Sequence, residues 1–480
     1  MASCALKVAG GYESDHDRLS ELPDHILLSI LERLRDDVRL LARTCVLSKR
    51  WRTLPLMLSG LEISVRTFVP ADCTSTLQRV RRATDKFTGA VRFFLATPTA
   101  GDRRAIKTLR LKLYLAKVDS LHDIVHLVGN AIGRGEVQDL ELVVYTEKGK
   151  AFLRSAAETV KVVLCYGRRF MRLLRGAPAA VFRSLKTLSL QNLCFRAPSD
   201  VGVLLRTCTA LEVLALDYCG FANFSTVLSI DAPPHSQLKL VRLLCRQWFS
   251  ESCPVTFGPG SVPSLEEITL DNRAQDWQRS FSLSELLANA HGVETLRLAF
   301  NNDKIWLGLE NPRNLSIASS KLKMLHLTSV FPEGDLSWTL FLLQAAPFLE
   351  LLDIDVYSNH VCRPGDEDRD IQALDWEVPH GFKHHHLRFA CVRGGIDAGK
   401  DARFVRLLME RAVNLELLVL RGRIACKGCI AVRRQDAAAV LSMLPEDKDG
   451  VDAFVRQLEQ GISTTARILV YSASYQEFAY

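Results

Sequence analysis

The chain has 480 residues, 48% of them hydrophobic and 24% charged, with a formal net charge of +7. That is longer than one ordinary compact core and too apolar for extensive disorder, so several domains or one extended repeat array is expected. The small positive excess is spread among acids along the whole length, which argues against a nucleic-acid-binding tract. Thirteen cysteines are an odd number, 1–20 lacks a basic-then-apolar leader, and the most apolar segment, 339–352, is broken by Gln344, Pro347 and Glu350. Reduced thiols, no membrane span, and residence in the cytoplasm, the nucleus or both are therefore expected.

The first predicted helix opens at Leu22-Pro23-Asp24. Its apolar residues Ile26, Leu27, Ile30, Leu31 and Leu34 recur at helical spacing, while Glu32, Arg33 and Arg35 stay polar. A second signal follows in Cys45-Val46-Leu47-Ser48-Lys49-Arg50-Trp51-Arg52. A segment this small cannot hide such a stripe alone, so the stripe packs on the rest of the chain or on another protein.

These residues resemble the F-box, a three-helix module that binds the adaptor Skp1 in SCF-type ubiquitin ligases. The match runs from about Arg18 to about Leu61. It rests on Leu22-Pro23, on Ile26-Leu27, and on Val46-Leu47-Ser48-Lys49-Arg50-Trp51-Arg52, which looks like the plant form of the module. Pro55 departs from it, standing where related plant sequences often carry Trp. The resemblance implies docking on a Skp1-like protein, and through it on a cullin, by Leu22, Pro23, Ile26, Leu27, Ile30, Leu34, Val46, Leu47 and Trp51.

Beyond this cassette an apolar residue, two others, apolar, one other, apolar recurs. It reads Ile106-Leu109-Leu111, Val137-Leu140-Leu142, Leu185-Leu188-Leu190, Leu211-Leu214-Leu216, Leu238-Val241-Leu243, Leu265-Ile268-Leu270, Val293-Leu296-Leu298, Leu322-Leu325-Leu327, Leu349-Leu352-Ile354 and Leu415-Leu418-Leu420. Successive starts from Leu185 to Leu349 lie 26, 27, 27, 28, 29 and 27 residues apart. Such a period resembles leucine-rich repeats. In a short strand, residues two apart share a face, so the last two apolar positions point into a core and the residues between them point out. The fold class expected is α/β, a three-helix F-box followed by a curved leucine-rich-repeat solenoid with short parallel strands on its concave face. The period stretches before Leu185 and again after Ile354, where Gly365-Asp366-Glu367-Asp368-Arg369-Asp370 reads as an exposed loop.

Near the end, His386-Leu387-Arg388-Phe389-Ala390-Cys391-Val392, then Gly394-Gly395, then Phe404-Val405-Arg406-Leu407-Leu408-Met409, then Leu415-Glu416-Leu417-Leu418-Val419-Leu420 resembles the FBD region of plant F-box proteins, a strand, a helix and a strand that cap the array. The expected organisation is thus a flexible 1–17, an F-box at 18–61, a solenoid at 62–380, an FBD-like terminal repeat at 381–422 and a tail at 423–480, with a helix near 451–458.

Catalytic chemistry is not expected. Cys426 and Cys429 have the spacing of half a zinc site without a second pair, and His384-His385-His386 reads as a loop before a strand with a solvated or capping role. There is no Walker-type phosphate loop and no Gly-x-Ser-x-Gly elbow, and no cofactor is expected. Binding should instead use residues that face out between buried positions, Ser189, Asp217, Thr269, Asp271, Arg297, His326, Asp353 and Asp355, against a target protein that the sequence does not name. Two readings remain open. One is a substrate-recognition adaptor of an SCF-type ligase; the other is a leucine-rich-repeat scaffold or inhibitor whose N-terminal cassette is only a cap.

Overall fold

The computed structural model describes residues 21–69, 76–95, 106–115, 118–147, 157–223, 225–231, 238–248, 253–271, 279–300, 305–330, 336–356, 379–394, 400–422, 444–445 and 448–471. The expected N-terminal stretch 1–17, the 365–370 loop and the Cys426–Cys429 pair lie outside them.

Three short helices come first: α1 (Asp24–Glu32), α2 (Val38–Thr44) and α3 (Lys49–Thr53). Their starts are written locally. Pro23 sits just before α1, where its missing N–H costs nothing. The Asp37 carboxylate accepts from the Arg39 and Leu40 amides at 3.0 and 3.2 Å, and the Ser48 hydroxyl accepts from Trp51 N at 3.3 Å. Pro55 is buried in a 3-10 turn, Leu54–Met57, that directly extends α3.

The strands in chain order are β1 (Gly60–Ser64), β2 (Ile106–Tyr114), β3 (Val137–Tyr145), β4 (Leu185–Gln191), β5 (Cys194–Phe195), β6 (Val213–Asp217), β7 (Gly220–Phe221), β8 (Leu228–Ile230), β9 (Arg242–Arg246), β10 (Val255–Phe257), β11 (Glu267–Asp271), β12 (Thr295–Ala299), β13 (Met324–Val330), β14 (Leu351–Val356), β15 (Phe389–Gly394), β16 (Leu417–Gly422) and β17 (Arg467–Tyr471). Thirteen of them form one parallel sheet in the order β1-β2-β3-β4-β6-β9-β11-β12-β13-β14-β15-β16-β17, while β5 pairs with β7 and β8 with β10. Parallel neighbours lie about 4.8 Å apart and packed helices about 8–10 Å apart, so a stack with helices on one side bends with its strands inside.

One expected repeat is shifted. Leu243 and Cys245 pair with Ile268 and Leu270, so the buried triplet is Leu240-Leu243-Cys245, two residues on from Leu238-Val241-Leu243. The array also begins earlier and ends later than the pattern suggested. β1 adds a strand directly behind the three helices, and β17 adds one beyond β16, after the helix Lys448–Glu459.

The stack is held by a ladder of inward leucines, among them Leu188, Leu214, Leu243, Leu296 and Leu325, each about 1.5–3 kcal/mol of burial. Farther along the middle repeats runs a second, aromatic file. The Phe221 and Trp248 rings meet edge to face at 5.6 Å, and Trp306 lies 5.3 Å from Phe281 and 5.1 Å from Phe300, which meets Trp338 edge to face at 5.9 Å. Strand exits repeat too. Asn192, Tyr218 and Gln247 adopt left-handed backbone just past a strand, as Ser329 does within β13 where its register with β14 shifts, and the Asn192 and Tyr218 amides donate to Asp217 O and Arg246 O at 2.9 and 2.8 Å. At the end of β15, Gly394 has φ +107, and a Cβ there would press on the Val356 carbonyl.

His384 is not solvated. It is 2% exposed, and its Nδ1 accepts from Leu387 N at 3.0 Å, which leaves Nε2 to donate to Ala346 O at 3.0 Å. The ring is therefore neutral and ties the helix ending at Ala345 to the chain entering β15. Burial, foremost, lowers its pKa from 6.5. The unfolded chain takes up a proton near pH 6.5 and the folded one only at lower pH, so this stabilisation is complete above about 6.5 and is lost as pH falls toward the folded value. We expect His384→Gln to be less stable than wild type at pH 7.5 by thermal unfolding, yet to lose less Tm on acidification to pH 5.5. An equal loss in both proteins would contradict the assignment.

Candidate functional site

Two surfaces stand out. The first is the N-terminal helical module, whose apolar residues divide between two sides. Leu27, Leu31, Leu41 and Trp51 are buried and join one continuous core with Leu61 and Ile63 of β1. On the other side, Ile26 and Ile30 are 39% and 38% exposed, and Val46 and Leu47, in the turn before α3, are 82% and 66% exposed. Pro23 is exposed, and Leu22 and Leu34 are half-buried. Of the nine expected docking residues, Leu27 and Trp51 are thus buried in the module's own core. Arg50 ties the two ends of the exposed side together. Its Nη2 donates to Leu22 O at 2.6 Å and its Nε to Asp24 Oδ1 at 2.7 Å, bringing the start of α3 to the start of α1. Met57, in the 3-10 turn after α3, is exposed as well.

The second surface is the outward side of the parallel sheet. Strand register arranges its residues in rows. One row runs Ser189, Ala215, Leu244, Thr269, Arg297, His326, Asp353 and Cys391, so Thr269, Arg297, His326 and Asp353 are direct neighbours while Ala215 and Leu244 separate Ser189 from Thr269. His326 Nδ1 and Asp353 Oδ2 are 3.0 Å apart, and Arg393 Nη2 donates to the same oxygen at 2.6 Å. Burial first, then the Asp353 carboxylate, pushes the Cys391 thiol up to about 11. The other expected acids are also engaged. Asp217 lies 3.3 Å from Arg246, Asp271 accepts from Gln247 Nε2 at 2.9 Å, and Asp355 faces Arg393 in register. Arg297 pairs with Glu267 at 3.0 Å.

A row missed by the sequence reading lies beside this one. In β1 to β3 it holds Glu62, Arg110 and Glu141, with Arg110 Nε 2.5 Å from Glu141 and Nη1 3.4 Å from Glu62. From β13 to β16 the same row holds Met324, Leu351, Phe389 and Leu417 in direct register. Met324 and Phe389 are 37% and 41% exposed. The outward face thus changes from self-neutralised charge to an apolar strip about three strand spacings, roughly 14 Å, long. The signal was present: in four consecutive repeats an apolar residue stands immediately before the second inward position.

Among the described residues no three His, Cys, Asp or Glu side chains converge as a metal site requires, and no helix is long and apolar enough to cross a membrane. Eight described cysteines are free thiols, five of them buried.

A single parallel sheet of thirteen strands, built on a recurring leucine triplet and fronted by a three-helix module, defines a leucine-rich-repeat solenoid of mixed α/β class. The chain is similar over most of its length to plant F-box proteins with leucine-rich repeats and an FBD region. An FBD-associated F-box protein of Arabidopsis thaliana is 27% identical over 379 residues, covering 76% of this chain and 82% of the relative. An F-box/LRR-repeat protein of the same plant is 24% identical over 473 residues, 92% and 90% of the two chains. An F-box/FBD/LRR-repeat protein, also from Arabidopsis thaliana, is 21% identical over 453 residues, 87% and 91%. No family model matches the sequence. Among solved structures, the leucine-rich repeat-containing protein LegL7 of Legionella pneumophila aligns over 84% of this chain and 99% of its own at 12% identity and a TM-score of 0.32, too loose a superposition to add to the strand order itself.

Proposed function

We propose that the chain is a non-catalytic substrate-recognition adaptor of an SCF-type ubiquitin ligase, working in the cytoplasm or nucleus. The exposed side of α1 and the turn before α3 dock on a Skp1-like protein, and through it on a cullin. The concave face holds a target protein, and other subunits transfer ubiquitin. No side chain here need react, because tethering raises the target's effective concentration at the transfer site.

The observation that carries this reading is the two-sidedness of the N-terminal module. A mere cap turns its apolar residues onto the first repeat. Here Leu27, Leu31 and Trp51 do so, while Ile26, Ile30, Val46 and Leu47 remain bare on the other side. The test is size-exclusion chromatography of the full chain with a purified Skp1-like protein. Stoichiometric co-elution is expected; separate elution at micromolar concentrations would leave the scaffold reading in possession.

For the target, the Met324-Leu351-Phe389-Leu417 strip supports the C-terminal half of the concave face. Phe389→Asp with Leu417→Asp should reduce retention of cellular proteins on the immobilised chain at least tenfold by quantitative mass spectrometry, with co-elution of the adaptor unchanged. Undiminished retention would remove the strip from the target surface.

A further inference from the structure

A cavity of about 410 Å³ opens between the N-terminal module and the first repeat, and none of the exposed docking residues lines it. One wall is a face of α2. The other is a face of the helix α4 (Thr76–Leu95), where Lys86, Ala90, Phe93 and Phe94 fall at helical spacing. Phe68, at the end of the 3-10 turn Val65–Phe68, closes one side. Among the described residues the lining is apolar apart from three cations, Arg39, Arg43 and Lys86. The Arg39 guanidinium lies over the Phe68 ring, 5.6 Å from its centre. Among the described residues none of these three cations pairs with a carboxylate, whereas other charges near the first strands are matched, as in Arg110 with Glu62 and Glu141.

Two features fix the chemistry of an occupant. Phe93 is 45% exposed toward solvent and Phe68 and Ala90 are half-buried, so an apolar body gains by covering them. Three like charges around one apolar opening repel each other, and an anionic group relieves that repulsion while being held by charge-assisted hydrogen bonds. The volume falls in the range of small-molecule sites. We propose that this cavity binds a small amphipathic anion, an aromatic or alkyl body carrying one carboxylate, sulfonate or phosphate. Seated against both α2 and α4, such a ligand fixes the docking helices to the solenoid, and its binding stabilises the folded chain by mass action. The inference does not depend on what the docking helices bind.

The test uses the intact chain and 8-anilinonaphthalene-1-sulfonate as probe, followed by calorimetry and by displacement with dodecanoate or dodecanol. One site per chain is expected, displaced by dodecanoate at concentrations where dodecanol is without effect. Arg43→Glu with Lys86→Glu changes two exposed side chains and should weaken probe binding at least tenfold at unchanged Tm. Arg33→Glu, on exposed surface outside the lining, should leave it unchanged. Ala90→Trp fills the cavity and should abolish binding; should that variant fold poorly, the charge-reversal pair still decides. Several weak sites indifferent to these changes, equal displacement by the neutral alcohol, or a wild-type chain that binds no probe because the cavity is already filled by another part of the protein would each overturn the proposal.

Discussion

Ile30→Asp combined with Leu47→Asp is expected to abolish adaptor binding while the solenoid stays folded. Both side chains are exposed in the free chain, Ile30 by 38% and Leu47 by 66%, so a carboxylate there meets water and costs the fold little. In a docked complex the same carboxylates would be buried without partners. Loss of one apolar interface anchor costs about 2 kcal/mol or more, a thirtyfold change, and two independent anchors about 4 kcal/mol, roughly a thousandfold. Truncation at Leu27 is the instructive contrast. Leu27 is fully buried in the core shared with β1, so Leu27→Ala should lower stability by about 2–5 kcal/mol and weaken docking only through that loss. Surface plasmon resonance against a Skp1-like protein, beside thermal unfolding of each variant, separates the two. Equal docking losses at equal Tm for Ile30→Asp/Leu47→Asp and Leu27→Ala would mean that the two sides of the module had been wrongly distinguished.

The second large effect belongs to the solenoid. Phe300 touches both Trp306 and Trp338, at 5.1 and 5.9 Å between ring centres, and is 1% exposed. Phe300→Ala should cost about 3–5 kcal/mol, since the removed ring leaves a cavity that its two tryptophan neighbours cannot both close. Repeats contact mainly their neighbours, so the damage should be local. Hydrogen exchange should quicken in β12, β13 and β14 and stay unchanged in β2 and β3, with adaptor binding intact. Uniformly faster exchange along the whole sheet would show that the stack unfolds as one unit.

How much of this the sequence carried depends on which property each residue had to reveal. The leucine triplets revealed the strands, because two inward positions per strand must be apolar and a regular period leaves few alternatives. The Leu238 slip arose because Cys245 fills an inward position that a leucine pattern does not claim. β1 was written plainly as Leu58-Leu61-Ile63 but straddled the end of the stretch resembling the F-box, where Leu58 and Leu61 served two patterns. β17 escaped because Thr465 stands at the leading position, and an edge strand leaves Ile468 and Val470 only half-buried. The docking stripe was legible as a stripe, yet Ile26 and Leu27 are adjacent apolar residues, and only packing decides which of them turns inward. The Met324-Leu351-Phe389-Leu417 strip needed register across strands, which no single repeat contains.

The measurement that bears most directly on the adaptor reading is a hydrogen-exchange footprint of the full chain with and without a purified Skp1-like protein. The account predicts protection over the peptides containing Ile26, Ile30, Val46 and Leu47, with none over the sheet from β4 to β16. Protection confined to the concave strands, or none anywhere under conditions where the two proteins are mixed at micromolar concentration, would contradict it.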